Sequence, residues 1–220
     1  GAKAEVSGPM VGATMGLLAF LMAFTFNAAA GRHEARRTLV MDEANAVERL
    51  WLRANFLVEP YRSATRDLIR QYVDLRVKAI SGQIDVAEAV RQSTALQARL
   101  WTQAVEISGR KDAIAVSMNL YVQALNDVFD LQAKRVTVGL RSRIAPSIWL
   151  ALMLLLAGGM IMVGVQVGQS GVRNRAIELA LALSFSIVFF TIVDLDRPLE
   201  GLIDVSQQAT LDLQQKILAR

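Results

Sequence analysis

The sequence predicts an all-α integral membrane protein in which three apolar spans accompany a charged helical region. Three observations carry that reading. Three stretches of the 220-residue chain are apolar and long enough to cross a bilayer. The remainder repeats its apolar residues at helical spacing, and no stretch alternates apolar with polar residues as a strand would. With 53% hydrophobic and 20% charged residues, the chain keeps the two kinds apart along its length.

The first span lies within residues 1–31. From Val6 to Gly31 there is no charged side chain. About 20 residues at ~1.5 Å each cross a ~30 Å hydrocarbon core, so this stretch accommodates a tilted helix. Pro9 is expected in its first turn. Residue 1 is Gly rather than Met, so the chain is expected to begin inside a longer protein.

Residues 32–145 form the charged helical region. Glu43, Ala46, Val47, Leu50, Trp51 and Ala54 recur at helical spacing, and this helix is expected to run to Glu59-Pro60. A second helix fits Tyr61 to Ile80, closed by Ser81-Gly82. A third fits Asp85 to Ile107, with Asp85 as cap and Glu88 three residues on, as in a capping box. A fourth is expected from Lys111 to Arg143. Such amphipathic helices must bury their apolar stripes against one another or against other subunits.

Residues 146–193 read as a transmembrane hairpin. Its first arm runs from Pro146 to Gly168 and carries Trp149 where an interfacial aromatic would sit. The second arm runs from Ala176 to Val193, with Glu178 close to one end, and Gln169 to Arg175 forms the turn. Residues 194–220 are left as a C-terminal tail. Arg32, Arg36 and Arg37 follow the first span, and Lys134, Arg135, Arg141 and Arg143 precede the second, whereas the hairpin turn holds only Arg173 and Arg175. The positive-inside rule therefore expects the helical region and the tail in the cytoplasm.

Composition narrows the chemistry. There is no cysteine, and His33 is the single histidine, so thiolate and multi-histidine metal sites are excluded and any metal must use carboxylates. The formal charge of +4 comes without an aromatic-interleaved basic patch, so no nucleic-acid partner is expected; the bilayer is the expected partner of the basic loops. No P-loop, G-x-S-x-G or H-E-x-x-H motif is present, and the protein is not expected to be an enzyme.

Several residues stand out as candidate sites. Gly8, Gly12 and Gly16 form small-xxx-small steps that allow another helix to approach closely. Phe20 and Phe24 are four apart, and Asn27 lies seven beyond Phe20, so all three share roughly one face, about 160° from Gly8 in the case of Phe24. That face can line a pore with an aromatic constriction or pack against lipid. After the third span, Asp194, Asp196, Glu200 and Asp204 can hold a hard cation such as calcium, or with Arg197 form a structural clamp where the chain leaves the membrane. Glu178 can pair with Arg175 or attract cations to a pore.

The segment AFTFNAAAGRHEARRTLVMDEANAVERLWLRANFLVEPYRSATRDLIRQYVDLR and the later LDRPLEGLIDVSQQ resemble the bacterial bestrophin-like membrane family of unassigned function. The elements that carry the resemblance are the E-A-N-A of Glu43 to Ala46, the E-P-Y-R of Glu59 to Arg62 and the L-D-R-P-x-x-G of Leu195 to Gly201. It implies a further span upstream and a distant relation to bestrophins, which are homopentameric ion channels. It thus implies an oligomeric, pentameric ion channel of the bacterial inner membrane, with inorganic ions as cargo and residues 8–30 lining the pore. A bestrophin neck has three apolar residues spaced by four. Phe20 and Phe24 supply two of them, and the third falls on Gly16 or Ala28. Calcium-responsive bestrophins carry an acidic run after the last span, which here is interrupted by Arg197-Pro198-Leu199. The competing reading is a non-conducting membrane scaffold or signalling protein whose helical region binds a partner. A transporter would need broken helices or an inverted repeat, and neither is evident.

Overall fold

The computed structural model describes residues 2–110, 114–170, 175–197 and 201–219. The described residues are helical and contain no strand. In order they form α1 (Ala2–Arg53), α2 (Tyr61–Ile80), α3 (Val86–Ser108), α4 (Ala115–Val136), α5 (Pro146–Ser170), α6 (Arg175–Asp196) and α7 (Gln208–Leu218). A short 3-10 turn at Ala54–Phe56 follows α1, and a π-helical turn at Thr137–Arg141 follows α4.

The first span and the amphipathic helix after it are one helix of 52 residues, not two. Nothing between Gly31 and Arg53 breaks a helix, and the run is rich in Ala, Glu, Arg and Leu. Pro9 is accordingly inside α1 rather than in its first turn. At its other end α1 stops at Arg53, earlier than the proline predicts. Leu57 is already extended (φ −81°, ψ 150°), ahead of a cis Glu59–Pro60 peptide.

α2 occupies the predicted range. It ends on Gly82 in the left-handed region (φ 70°), which lets the Gln83 N–H donate to the Lys78 carbonyl at 2.9 Å. At the start of α3 the Asp85 carboxylate accepts from the Ala87 N–H at 3.0 Å. Glu88 does not reach back as a capping box requires; its carboxylate meets Arg91 and Gln92 instead. The fourth helix is shorter than Lys111 to Arg143, because α4 ends at Val136 and the π turn intervenes.

The chain divides into two compact units, residues 1–34 with 142–204, and residues 35–141 with 205–220. Among the described residues three helices are long and apolar enough to cross a membrane, and the apolar part of each lies in the first unit. Leu18, Met22 and Ala29 of α1 cluster with Leu152 of α5 and Ile192 and Leu195 of α6, and Trp149 meets Phe189 edge-on at 5.4 Å. Leu150, Leu154, Ile161, Leu179, Leu183 and Ile187 face outward. A soluble bundle would bury such side chains, whereas a bilayer solvates them.

The second unit packs α2 against α3 and α7, and α3 against α4, with the end of α1 among them. Leu50, Trp51, Ile69, Tyr72, Leu100, Tyr121, Leu125, Leu213 and Ile217 form its core. The tail expected after residue 194 is therefore partly a core element. Gln214 of α7 donates to Asp74 at 2.8 Å, and Lys216 pairs with Glu48 at 3.0 Å.

Candidate functional site

In the first unit, α1 lies antiparallel to α5. Gly8 faces Gln166, the Thr14 hydroxyl donates to the Met162 sulfur at 3.5 Å, and Met15 rests on Gly159. The buried stripe of α1 is Val11, Leu18, Met22, Thr25 and Ala29. The Thr25 hydroxyl, which would be stranded there, donates to the Leu21 carbonyl at 2.7 Å.

At 100° per residue, Phe20 lies about 180° from the middle of that stripe, Asn27 about 160° and Phe24 about 140°. All three are exposed, the phenylalanines 66% each. The structure thus puts them together on the face of α1 that α5 and α6 do not use. Van der Waals packing fixes which face that is, because Leu18, Met22 and Ala29 of the stripe cluster with side chains of the other two spans.

The three glycines of the small-xxx-small steps have different surroundings within the chain. Only Gly8 approaches another helix of the chain, its added Cβ falling 3.5 Å from Gln166 Nε2, while Gly12 and Gly16 face open space. Each four-residue step drifts about 40° around the helix, so the row turns from beside the packed stripe toward the open face. Gly159 of α5 instead leaves room for the end of the Met15 side chain, whose Cε lies where a Cβ would stand.

Beyond the third span, the acidic residues hold backbone. Asp194 accepts from the Leu202 and Ile203 N–H groups at 2.8 and 2.9 Å, and Asp196 accepts from the Ile144 N–H at 3.0 and 3.2 Å. Gly201 is needed for room rather than for a special turn. A Cβ there would fall 2.6 Å from Asp194 Oδ1 and 3.1 Å from its Cγ. Arg197 and Asp204 are exposed, and Glu200 lies outside the described residues. Among the described residues no group of three or more His, Asp or Glu side chains is placed to hold a metal ion. Glu178 makes no ion pair with Arg175, and its Oε1 is buried without a hydrogen-bond partner.

The most developed polar cluster is one that sequence reasoning missed. In the second unit Glu43 is 3% exposed and sits among α2 and α4 side chains. Arg76 donates to it three times, at 2.7, 3.0 and 3.0 Å. Arg135 pairs with Oε2, which Arg76 also reaches, and Tyr72 donates its hydroxyl to Oε1 at 2.5 Å. Burial by itself would push the Glu43 carboxyl up. The charges of Arg76 and Arg135, with the hydrogen bonds of Tyr72 and Arg135, outweigh burial and hold it below the ordinary carboxylate value. Burial, and then the Glu43 charge, push the Tyr72 hydroxyl up, so it stays a donor. The cluster ties three helices together and carries one more positive than negative charge. The sequence signal was a carboxylate on an otherwise apolar stripe.

Comparison with known families adds one finding. A family model described as Bestrophin-like domain matches residues 1–210. No curated protein and no solved structure matches the chain.

Proposed function

The chain belongs to the bestrophin-like domain family, and from that premise we propose that it forms an ion channel. The channel is a homo-oligomer, pentameric, of the bacterial inner membrane. Residues 8–30 of α1 line its axis, Phe20 and Phe24 form the constriction, and Asn27 follows toward the cytoplasm. The helical region and the C-terminal residues lie on the cytoplasmic side, as the arginine distribution favours. Flow is passive and no catalytic step is involved.

The observation that carries this reading is the unpacked face of α1. Two phenylalanines alone would suit lipid. Asn27 in line with them would not, because a carboxamide taken out of water without a partner costs roughly 1–3 kcal/mol. A water-filled axis satisfies both, since apolar rings narrow it and gate it by dewetting. Purified protein in liposomes should pass ions, and Phe20→Ala combined with Phe24→Ala should raise conductance by removing the dewetted constriction. A well-ordered oligomer with no axial opening and no flux would contradict the proposal.

One observation favours the scaffold reading. Trp101 and Val105 of α3, and Ile114, Val116 and Leu120 at the start of α4, are exposed apolar side chains in the second unit. Recovery of one stoichiometric partner on that surface, together with absence of flux, would support it.

A further inference from the structure

Where α2 and α3 run side by side in the second unit, small residues leave room between them. Ala64 of α2 and Ala98 of α3, with Leu68, floor an open groove of about 540 Å³, within the ~300–1,000 Å³ that small-molecule sites occupy. Asp67 and Gln71 stand on its α2 wall, and Arg99, Thr102 and Gln103 on its α3 wall.

The hydrogen bonds of these side chains decide what the groove can hold. Buried Thr65 donates its hydroxyl to Gln103 Oε1 at 3.2 Å, which ties down the amide oxygen and leaves Nε2 to donate. Thr102 uses its hydroxyl hydrogen on the Ala98 carbonyl at 3.0 Å, so toward a ligand it accepts. Arg70 pairs with Asp67 at 3.0 Å. Arg99 and Gln71, both exposed, make no hydrogen bond or ion pair with their side chains among the described residues. Arg99 comes four residues before Gln103, so guanidinium and amide project from successive turns of one wall. The exposed Glu106 lies two turns, about 10 Å, beyond Arg99 along α3 and forms no ion pair with it, and Lys78 lies as far beyond Gln71 along α2. With Asp67 answered by Arg70, the groove carries the charge of Arg99 and more donors than acceptors.

We infer that this groove binds a small organic monocarboxylate. The Arg99 guanidinium is a planar fork that matches a carboxylate in a bidentate pair, and the Gln103 amide adds a third donor beside it. Ala64, Leu68 and Ala98 receive a body of a few carbons, which a hydrated inorganic anion would leave uncovered. Asp67 on the opposite wall repels a second acid group.

The test follows thermal unfolding of the full chain in detergent at constant ionic strength, with sodium butanoate, butanol or sodium phosphate added. Butanoate should raise Tm, and butanol and phosphate should not. Gln103→Ala should weaken the butanoate response about tenfold, as loss of one hydrogen bond to a charged group does. Arg99→Gln should abolish it, whereas Arg91→Gln, one exposed arginine exchanged elsewhere on α3, should keep it. Because Arg99 is exposed, Arg99→Gln should unfold at the wild-type temperature without ligand, which separates lost binding from lost folding. No response to butanoate, an equal response in Arg99→Gln, or an equal response to butanol overturns the inference. A response to phosphate that Arg99→Gln removes overturns it too, by giving the groove to a different class of anion.

Discussion

Replacing Glu43 by Gln isolates what the buried cluster contributes. The substitution keeps size and shape but removes the one negative charge that, among the described residues, pairs with Arg76 and Arg135, leaving two partly buried guanidinium groups against a neutral amide. Glu43 accepts three hydrogen bonds from Arg76 and one each from Arg135 and Tyr72. A Gln amide nitrogen, itself a donor, must face at least one of those donors. Breaking a buried, hydrogen-bonded ion pair by removing one partner costs about 3–5 kcal/mol. At about 2–4 °C per kcal/mol for a chain of this size, Tm should fall by about 6–20 °C. The assay is the fraction of detergent-solubilised protein that still elutes as the folded species after heating. The depressed carboxyl also sets a pH signature. Its contribution is complete above the ordinary carboxylate range and is lost as pH falls through the lowered folded value. The gap between wild type and Glu43→Gln should therefore be full at pH 7 and close in acid. A Tm within about 2 °C of wild type at pH 7 would refute this reasoning.

Other perturbations follow from the same contacts. Gly201→Ala should displace the Asp194 carboxylate from the Leu202 and Ile203 amides and cost about 1–3 kcal/mol, seen as a lower Tm, whereas Gly12→Ala, into open space, should be neutral within about 0.5 kcal/mol. Equal effects of the two would show that the Gly201 contact does not matter. Trp51 is 1% exposed, with the Arg66 and Arg70 guanidinium groups 4.8 and 5.0 Å from its ring centroid. Trp51→Ala should cost about 3–5 kcal/mol, measurable as loss of the folded species at moderate temperature. Asp85→Ala, which removes the α3 cap, should cost only about 1 kcal/mol by the same thermal assay.

How far the sequence could be read depended on the range of the interaction involved. The α2 and α3 boundaries depend on local chemistry, Gly82 at one end and Asp85 at the other, and both were legible. The three spans were legible because solvation by lipid needs only length and the absence of charge. The continuity of α1 was missed because a change from apolar to charged composition looks like a boundary, although helix hydrogen bonding is indifferent to it. The Glu43 cluster was out of reach because its partners Arg76 and Arg135 lie 33 and 92 residues away. The face shared by Phe20, Phe24 and Asn27 followed from periodicity alone. That it is the unpacked face needed the positions of α5 and α6. α7 went unrecognised because it is short and polar, with only Thr210, Leu213 and Ile217 buried.

The central claim, that α1 presents Phe20, Phe24 and Asn27 to a water-filled axis, has a direct measurement, because the chain contains no cysteine. Single substitutions Phe20→Cys, Phe24→Cys and Asn27→Cys, and Leu18→Cys and Met22→Cys on the packed stripe, can each be exposed to a charged, membrane-impermeant thiol reagent during current recording. Modification and block are expected at residues 20, 24 and 27, with no effect at residues 18 and 22. Block at residues 18 and 22, or current untouched by modification of all three open-face positions, would contradict it.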